Sequence, residues 1–464
     1  MSDPARIVVV GGGISGLAAA FSVLVDADRA VHVTLLESDE RTGGRIRTSP
    51  FGGLDAVDEA SDSFLMRAPW ATRLAADLGL ADSLTSPTGA HASVWHGRLH
   101  DIPGDLMLGV PAKVRSFVRT GLISPRGKVR AALEPFLPRT ADHDSIGRYV
   151  RRRFGNEIHE RLVDPLVGSI YAADTDAFSM AAVPQIAALT GERSMLVAAG
   201  KARAAAAKMP AGPIFGVPVN GMGALTDALA ARITALGGAI RTSTPVASIE
   251  RSGRAYRVHS SDQTFDADGV IVASPARHSA GFIATLDRHA GELLSDWSHS
   301  SVVMITMLIP AAQWPRHLTG SGYLVPKPDQ RWVTAASFGS NKWAHWRPGD
   351  GSMILRVSMG RDGLDVLHFD DDALVNLAIA DLKRHLGKDF VPTQVRVSRW
   401  PESFPQYRPG HFTRLEEIEH HLAGSAPGVV FAGASYRGIG VPSCVQQSKK
   451  AAESILSHVG RLAQ

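Results

Sequence analysis

Short runs of apolar residues, many of them β-branched, recur along the chain, and the first of them ends at a glycine. Such runs are predicted at residues 7–10, Val31–Leu36, 270–272 and 429–433. Uninterrupted apolar runs of this length predict strands that are buried on both faces, as in a parallel sheet. Helix-forming residues follow at 17–20, and an amphipathic helix is predicted at 226–236. The alternation of buried strands with helices predicts an α/β fold.

The middle of the chain shows two other patterns. In residues 113–119 and 149–154, arginine and lysine alternate with apolar side chains at helical spacing. Such helices fit either a solvated face or an anionic membrane surface, and the solvated face is the favoured interpretation. Further along, residues 302–309, 332–338 and Met353–Met359 are rich in strand-forming residues. These three runs predict one sheet with two different environments on its faces.

The first strand leads into a glycine motif. Gly11, Gly13 and Gly16 fit the pattern G-x-G-x-x-G between a buried strand and a helix. In this motif the first glycine makes the tight turn, the second lets backbone approach a pyrophosphate, and the third lets the helix pack on the strand. The helix N-terminus then offers free N–H groups to the phosphates. A turn of this shape that binds no nucleotide is the less favoured alternative.

Two charged residues after the glycine motif stand where a dinucleotide site would use them. Glu37 ends the second predicted strand, where its carboxylate can accept hydrogen bonds from both ribose hydroxyls and would repel the 2′-phosphate of NADP. The tandem glycines Gly43 and Gly44 precede Arg45, which suits a second backbone approach to a pyrophosphate with a cationic counter-charge. Together these positions predict a dinucleotide site in the first sixty residues.

Composition narrows the class of protein. A chain of 464 residues predicts two or three domains, and its single cysteine excludes a disulfide framework or a cysteine-rich zinc site. His91, His96 and His100 stand at loop-like spacings, so no metal site is predicted. A net charge of +4 fits a polyanionic small substrate or an ordinary surface, without a nucleic-acid motif. No run reaches 18 apolar residues, so a soluble cytoplasmic protein is expected, with peripheral membrane contact at most.

Several stretches resemble a known family. The spacing of Glu37 and Arg45 around the tandem glycines resembles FAD-dependent amine oxidases. DEASDSFL at residues 58–65, the segment 155–180, and residues 399–411 with 432–444 are similar to the protoporphyrinogen/coproporphyrinogen oxidase group, closest to its soluble branch in Gram-positive bacteria. The resemblance covers residues 6–452. The chain departs from the pattern at Ala60-Ser61, where Gly-Pro is usual, and at Ser169 and Ala173, where glycine is more frequent.

The resemblance implies FAD, bound non-covalently, and assigns residues to it. For the ADP half it implies Gly11, Gly12, Gly13, Ile14, Ser15, Gly16, Glu37, Ser38 and Arg45. For the flavin end it implies Ala60, Ser61, Asp62, Ser63 and Trp400, with a plain core aromatic as the alternative for Trp400. For the adenine it implies Val246, and for the pyrophosphate or the isoalloxazine it implies Gly438, Ile439, Gly440 and Val441. Cys444 is expected to be a buried, inert thiol.

The resemblance also implies an activity. It points to six-electron oxidation of coproporphyrinogen III to coproporphyrin III in haem biosynthesis, with molecular oxygen as the oxidant, peroxide as the product and transient contact with a ferrochelatase. Arg67 is expected either to clamp a propionate or to be a surface arginine, and Tyr171 either lines the cavity or packs in the core. No catalytic residue is assigned. The alternatives are protoporphyrinogen IX oxidation, a related amine oxidase or polyene desaturase, and an interaction protein without activity.

The expected fold is α/β, with a Rossmann-like FAD-binding domain assembled from discontinuous segments, a mixed β-sheet substrate domain and a helical insertion domain. The FAD-binding domain is predicted at residues 1–66, 216–285 and 415–464. The substrate-binding domain is predicted at 67–90, 205–215 and 286–414, and the helical domain at 91–204. The support for this division is the return of glycine-rich turns beside apolar strands in three separated parts of the chain.

Overall fold

The computed structural model describes residues 3–138, 144–208 and 212–462. The strands in chain order are β1 (Ala5–Val10), β2 (Val31–Leu36), β3 (Thr48–Phe51), β4 (Leu54–Asp58), β5 (Phe64–Leu65), β6 (Leu84–Thr85), β7 (Ala92–His96), β8 (Arg98–Asp101), β9 (Leu106–Met107), β10 (Val110–Pro111), β11 (Phe215–Pro218), β12 (Ala239–Arg241), β13 (Val246–Ser252), β14 (Ala255–Ser260), β15 (Thr264–Ala267), β16 (Gly269–Val272), β17 (His299–Ile309), β18 (Gly322–Leu324), β19 (Val333–Phe338), β20 (Met353–Met359), β21 (Gln394–Pro405) and β22 (Val429–Phe431).

The helices alternate with these strands. In chain order they are α1 (Ile14–Asp26), α2 (Pro69–Asp77), α3 (Val114–Val118), α4 (Pro125–Ala132), α5 (Ile146–Phe154), α6 (Asn156–Ile158), α7 (Asp164–Tyr171), α8 (Pro184–Ala187), α9 (Met195–Ala206), α10 (Gly223–Ala235), α11 (Ala276–Ala284), α12 (Arg288–Ser295), α13 (Gly339–Lys342), α14 (Asp371–Leu386), α15 (His411–Ser425) and α16 (Val441–Leu462). No helix among the described residues is both long enough and apolar enough to cross a membrane.

A five-stranded parallel sheet is assembled from three distant parts of the chain. Its order is β12-β2-β1-β16-β22. Side chains alternate between the two faces of a strand, so Ile7 and Val9 of β1 pack with α1, α10 and α16 on one face, while Val8 and Val10 pack with α11, α12 and α15 on the other. This double burial explains why the sequence shows uninterrupted apolar runs. The discontinuous Rossmann-like fold that the sequence predicts is confirmed.

A second, mixed sheet has seven strands in the order β21-β17-β20-β19-β18-β7-β8. Its long strand β17 pairs antiparallel with both β20 and β21. On one face of β17, Val303 and Ile305 are fully buried in the cluster that also contains residues of α14. On the opposite face, Val302 and Met304 line a large cavity. The predicted sheet with two different faces is therefore present, and the cavity is the second environment.

The helical region between residues 102 and 208 has its own core, which includes residues of α5, α7 and α9. Arg153 of α5 belongs to a segment predicted to face solvent, yet it is only 1% exposed. Its Nε donates to Glu134 Oε1 at 2.7 Å, and Glu134 also accepts from the Met195 N–H at 2.9 Å at the start of α9. The solvated-face interpretation is wrong for Arg153, because a carboxylate inside the helical core neutralises it.

Two groups of elements lie across the predicted domain boundaries. β7 and β8 fall inside the predicted helical segment 91–204, yet they pair within the seven-stranded sheet. α12 and the start of α15 fall inside the predicted substrate-binding segment 286–414, yet they pack against the five-stranded sheet. Part of the segment 205–215 lies outside the described residues. Pairing and burial partners decide these memberships, and neither is visible in local sequence.

Candidate active site

A cavity of about 1730 Å³ lies at the carboxyl ends of β1, β2 and β16, between the two large sheets and the helical region. Ligands of open α/β sheets bind outside the carboxyl ends of the strands, where such a cavity forms. Among the residues predicted from the sequence, those that line it are Gly11, Gly13, Ile14, Ser15, Glu37, Ser38, Arg45, Ala60, Ser61, Asp62, Ser63, Arg67, Tyr171, Val246, Trp400, Gly438, Ile439, Gly440 and Val441. Gly12 and Gly16 are not in this lining.

The glycine loop has the close backbone approaches that its sequence predicts. A Cβ on Gly16 would lie 1.8 Å from the carbonyl oxygen of Gly11, so only glycine allows α1 to start against the loop. Gly11 has φ +105°, and a Cβ there would lie 2.9 Å from the backbone nitrogen of Ser274. Beside Gly13, in contrast, there is open space, and no side chain caps the start of α1. The free N–H groups of this helix end can therefore receive an anionic ligand from the cavity.

Glu37 is held by the protein itself. One of its carboxylate oxygens accepts a hydrogen bond from the Gly12 N–H, and the other accepts from the Asp39 N–H at 2.9 Å and from the Ser38 hydroxyl at 3.1 Å. These bonds fasten the glycine loop to the end of β2. A carboxylate has room for about four hydrogen bonds, so contact with a ribose would add to this structural role.

The tandem glycines form a second backbone wall. A Cβ on Gly44 would lie 3.1 Å from the Cα of Gly13, so the two glycine segments face each other closely. Arg41 holds this turn by donating to the carbonyl oxygens of Gly44 at 2.6 Å and Ile46 at 3.1 Å. Arg41 lies two residues before Gly43 in the sequence, but its supporting role emerges only from these contacts.

Arg45 is a charged group without a carboxylate partner among the described residues. Its guanidinium lines the cavity and donates at 3.3 Å to the carbonyl oxygen of Glu402. Burial lowers the pKa of Arg45 to about 10, because the cationic form is poorly solvated there. An anion in the cavity would compensate this cost, which is the role that the sequence assigns to Arg45.

The loop 60–63 is fixed by two cations, Lys342 and Arg356, that the sequence does not mark as site residues. Asp62 accepts from Lys342 Nζ at 2.7 Å and lies 3.3 Å from Arg356 Nη1. Arg356 also donates to the carbonyl oxygen of Ala60. Burial opposes ionisation of Asp62, but Lys342 and Arg356 hold the pKa of its carboxyl below the ordinary value. Lys342 follows a sheet strand and Arg356 lies within one, so nothing in the local sequence marks either as part of this site.

The remaining predicted cofactor residues reach the cavity from distant segments. Trp400 pairs with Val302 in the seven-stranded sheet, and its indole N–H donates to the Glu59 carbonyl at 3.3 Å. Val246 begins β13, just after Thr244, whose N–H donates to the Glu37 carbonyl at 2.8 Å. Trp400 is half-buried at the cavity wall, not a fully buried core aromatic.

The last glycine turn precedes α16. Gly438 has φ +131°, and its N–H donates at 2.7 Å to the hydroxyl of Tyr407, which itself donates to the Ala434 carbonyl at 2.6 Å. Cys444 lies one turn into α16 and is 3% exposed. Burial raises the pKa of its thiol, so the protonated, poorly nucleophilic form predominates. The thiol is therefore buried, as the sequence predicts.

Arg67 and Tyr171 lie at the same cavity. Arg67 is exposed and forms no hydrogen bond or ion pair with any other residue of the described ranges. Tyr171 ends α7, is half-buried, and its ring centroid lies 5.0 Å from that of Phe178. Burial raises the pKa of the Tyr171 phenol, so it stays neutral. The unpaired cation of Arg67 and the neutral phenol of Tyr171 thus line the same cavity.

A buried ion pair supports the segment that carries Tyr171. Arg361 lies 3.2 Å from Asp164 at the start of α7, and it also donates to the Ala173 carbonyl. The Thr175 hydroxyl donates to Asp164 at 2.6 Å. Burial opposes ionisation of Asp164, but the Arg361 charge keeps the pKa of this carboxyl low. The pair holds the left-handed turn at Ala172 that ends α7.

The three histidines considered in the sequence analysis do not form one cluster. His96 pairs with Asp329 at 2.7 Å, and His100 contacts the His96 carbonyl at 3.3 Å. His91 is exposed. These contacts tie surface strands together and form no ligand set with one another.

Comparison with known proteins defines the class. The family model for flavin-containing amine oxidoreductases matches residues 14–456. The chain is 32% identical to the coproporphyrinogen III oxidase of Bacillus subtilis, covering 99% of this chain and all of that protein, and 32% identical to that of Mycobacterium leprae over 98% of each. A crystal structure from Exiguobacterium sp. 255-15, provisionally assigned as a protoporphyrinogen oxidase, has a TM-score of 0.86 at 29% identity over the full length of both chains.

The chain belongs to the flavin-containing amine oxidoreductase family. It is therefore an oxidoreductase with a flavin cofactor. The cyclohexylamine oxidase of Brevibacterium oxydans has a TM-score of 0.69 at 17% identity, covering 99% of this chain and all of that one, and this likeness concerns the fold.

Proposed function

We propose that this enzyme oxidises coproporphyrinogen III to coproporphyrin III in haem biosynthesis, using non-covalent FAD and molecular oxygen. The observation that carries the proposal is one continuous cavity, because it is lined both by the glycine loop and by Arg67 and Tyr171. A volume of about 1730 Å³ exceeds the usual range for one drug-sized ligand, which is roughly 300–1000 Å³. Such a space suits a dinucleotide together with a large second molecule.

The glycine end fits FAD. The uncapped start of α1 and the backbone beside Gly13 offer N–H groups to a pyrophosphate, and Arg45 supplies an uncompensated positive charge. Glu37 and Val246 lie at the same end, for the ribose and the adenine. When bound, the flavin would accept a hydride equivalent in each of three two-electron steps and pass the electrons to oxygen, which yields peroxide. The residues of the chain would bind and orient the flavin and keep water away from it.

The other end fits an apolar macrocycle with carboxylate arms. Tyr171 and Phe412 contribute apolar surface to the cavity wall. The guanidinium of Arg67 forms no ion pair with any carboxylate in the described ranges. Guanidinium groups bind carboxylates through two parallel hydrogen bonds. Arg67 would therefore hold one propionate, while Trp400 adds an aromatic side chain to the cavity wall. The relatives named coproporphyrinogen III oxidase support this substrate class.

The state of Cys444 supports non-covalent attachment. Its sulfur lies 3.6–3.7 Å from the carbonyl oxygens of Ile439 and Gly438, and its thiol is buried and protonated. A cysteinyl tether needs a reactive thiolate, and although Cys444 lines the cavity, burial keeps its thiol protonated. We expect acid precipitation of the purified protein to release all of its flavin into the supernatant; flavin that stays with the precipitate would contradict this attachment.

The experiment that tests the activity compares two substrates. Initial rates of porphyrin fluorescence in air are measured with coproporphyrinogen III and with protoporphyrinogen IX, alongside peroxide. We expect a higher kcat/KM for coproporphyrinogen III and three peroxides for each porphyrin formed. A preference for protoporphyrinogen IX would move the assignment to that substrate, whose oxidase in Arabidopsis thaliana is a 26% identical relative. No flavin-dependent rate with either substrate would overturn the proposal.

A further inference from the structure

A cluster of three ligand-type side chains lies on the outer face of two packed helices. His289 belongs to α12, and Glu417 and His421 stand four residues apart on α15. Residues four apart face the same side of a helix, so Glu417 and His421 present their side chains together. Within the described ranges, these three residues form a group whose nitrogen and carboxylate oxygen atoms all lie within 4.8 Å of one another.

The two helices hold the cluster in place. They pack through buried residues of one shared cluster, namely Ala290, Leu294, Leu415, Ile418 and Leu422. His289 Nε2 lies 2.8 Å from Glu417 Oε1, and the rings of His289 and His421 have centroids 4.5 Å apart. The three side chains are 41–48% exposed, so an ion can reach them from solvent. The backbone is therefore rigid while the ligand atoms remain accessible.

A fourth side chain, the carboxylate of Asp287, lies close to the cluster. Asp287, the N-cap of α12, lies 3.7 Å from His421 Nδ1 through its Oδ2. Its other oxygen accepts from the Ala290 N–H at 2.9 Å, a bond that fixes the carboxylate. A metal-binding histidine usually directs its second nitrogen to a carboxylate, which orients the ring and strengthens the ligand. Asp287 is the carboxylate nearest to that place, at 3.7 Å, which is ion-pair distance and longer than a hydrogen bond.

We propose that His289, Glu417 and His421 bind a divalent transition-metal ion, with Zn²⁺ as the best match. Two imidazoles and one carboxylate suit Zn²⁺ in tetrahedral geometry, with water as a fourth ligand, at about 2.0–2.2 Å for each protein ligand. The ligand atoms now lie within 4.8 Å of one another. Rotation of the side chains would bring them to bonding distance from one ion, while the packing of the two helices holds the backbone. Hard cations such as Mg²⁺ prefer all-oxygen sites and are excluded by this ligand set.

The site is separate from the cavity, since none of its residues lines that space. It joins α12, which leads into β17, to α15, which leads into β22 of the parallel sheet. An ion here would fasten these two helices to each other and stabilise the folded chain by binding it preferentially. The proposal therefore does not depend on the substrate or the cofactor assigned above. The proposal differs from the sequence expectation of no metal site, which rested on the spacing of His91, His96 and His100.

Isothermal titration of the tag-free, flavin-loaded chain with Zn²⁺ tests the proposal, together with thermal unfolding in the presence of Zn²⁺, Mg²⁺ or excess chelator. We expect one Zn²⁺ for each chain and a rise in Tm that the chelator reverses and that Mg²⁺ does not reproduce. His289→Ala and His421→Ala should each weaken the affinity at least about tenfold, since even indirect partners of metal ligands matter by that factor. Glu417→Gln keeps the side-chain size and should also weaken it.

The matched control is His420→Ala, which removes the neighbouring histidine on α15. The His420 and His421 ring centroids lie 6.4 Å apart, and His420 is not part of the cluster. Its affinity for Zn²⁺ should equal that of the unchanged chain. Equal loss of binding in His420→Ala, unchanged binding in His289→Ala and His421→Ala, or no stoichiometric binding at all would each overturn the proposal.

Discussion

The two ends of the cavity are built in different ways. At the glycine end, backbone from residues 11–16 and 43–44 forms the walls, and a Cβ at Gly16 or Gly44 would meet other backbone at 3.1 Å or less. At the other end, side chains such as Arg67, Tyr171 and Arg356 form the walls, and they come from separate segments.

The difference matters because backbone walls depend on local conformation, whereas side-chain walls depend on how distant elements pack. At a glycine, the required φ value and close contact are set within a few residues. The position of Arg356 is instead set by the register of β20 against β17 and β19. Gly11, Gly16 and Gly44 should consequently tolerate almost no substitution, while single changes at the other end should have graded effects.

The largest expected effect is at Gly16. Gly16→Ala places a Cβ 1.8 Å from the Gly11 carbonyl oxygen, and backbone cannot yield as a side-chain end can. We expect loss of the flavin absorbance from the purified protein and destabilisation by about 3 kcal/mol or more. The control is Gly281→Ala on α11, where a Cβ meets nothing within 4 Å, and it should keep its flavin. Full flavin content in Gly16→Ala would show that the loop is not a tight backbone wall.

The next effect concerns the buried ion pair between Asp164 and Arg361, which supports the segment carrying Tyr171. Asp164→Asn leaves Arg361 as a buried charge without a carboxylate partner, which should lower the free energy of unfolding by about 3 kcal/mol, measured by denaturant titration. Flavin should remain bound at 25 °C, because the glycine end is separate. Asp176→Asn is the control, since it breaks a half-exposed ion pair with Arg151 and should cost about 1 kcal/mol or less. Equal losses in both variants would contradict the assigned difference in burial.

The pH dependence of stability should report on Asp58, which ends β4 and accepts a hydrogen bond from the Met222 N–H at 2.8 Å. Burial raises the pKa of this carboxyl from 3.8 to about 6. The folded chain therefore binds the proton more tightly than the unfolded chain, so the free energy of unfolding falls as pH rises from about 4 to 6. We expect this fall to be smaller by about 2 kcal/mol in Asp58→Asn. The control Asp55→Asn, on an exposed position of the same strand, should leave the profile unchanged.

The smallest expected effect is at Arg67. Arg67→Ala should raise KM for a porphyrinogen by about tenfold and change kcat less, because one charged hydrogen bond to a carboxylate is worth about 1.5–3 kcal/mol and this one is exposed to water. Steady-state fluorescence rates measure both constants. Arg73→Ala removes an exposed arginine of α2 outside the cavity lining and should leave KM unchanged. An unchanged KM in Arg67→Ala would remove its assignment as a carboxylate clamp.

The sequence by itself determined the elements that depend on short-range pattern. Val31–Leu36 and Met353–Met359 were predicted with their observed bounds, and the glycine loop was predicted with its backbone approaches. These features are encoded locally, since apolar runs specify buried strands and glycine specifies positions where a Cβ has no room.

Only the tertiary structure decided which distant residues meet. It placed Arg153 inside the helical core, Lys342 and Arg356 on Asp62, β7 and β8 in the mixed sheet, and His289 beside α15. None of these neighbours has a signal in its own stretch of chain. Strand register and helix packing bring them together, and both are set by burial of the whole fold, because a charge or a ligand acquires its partner only when the surrounding elements have packed.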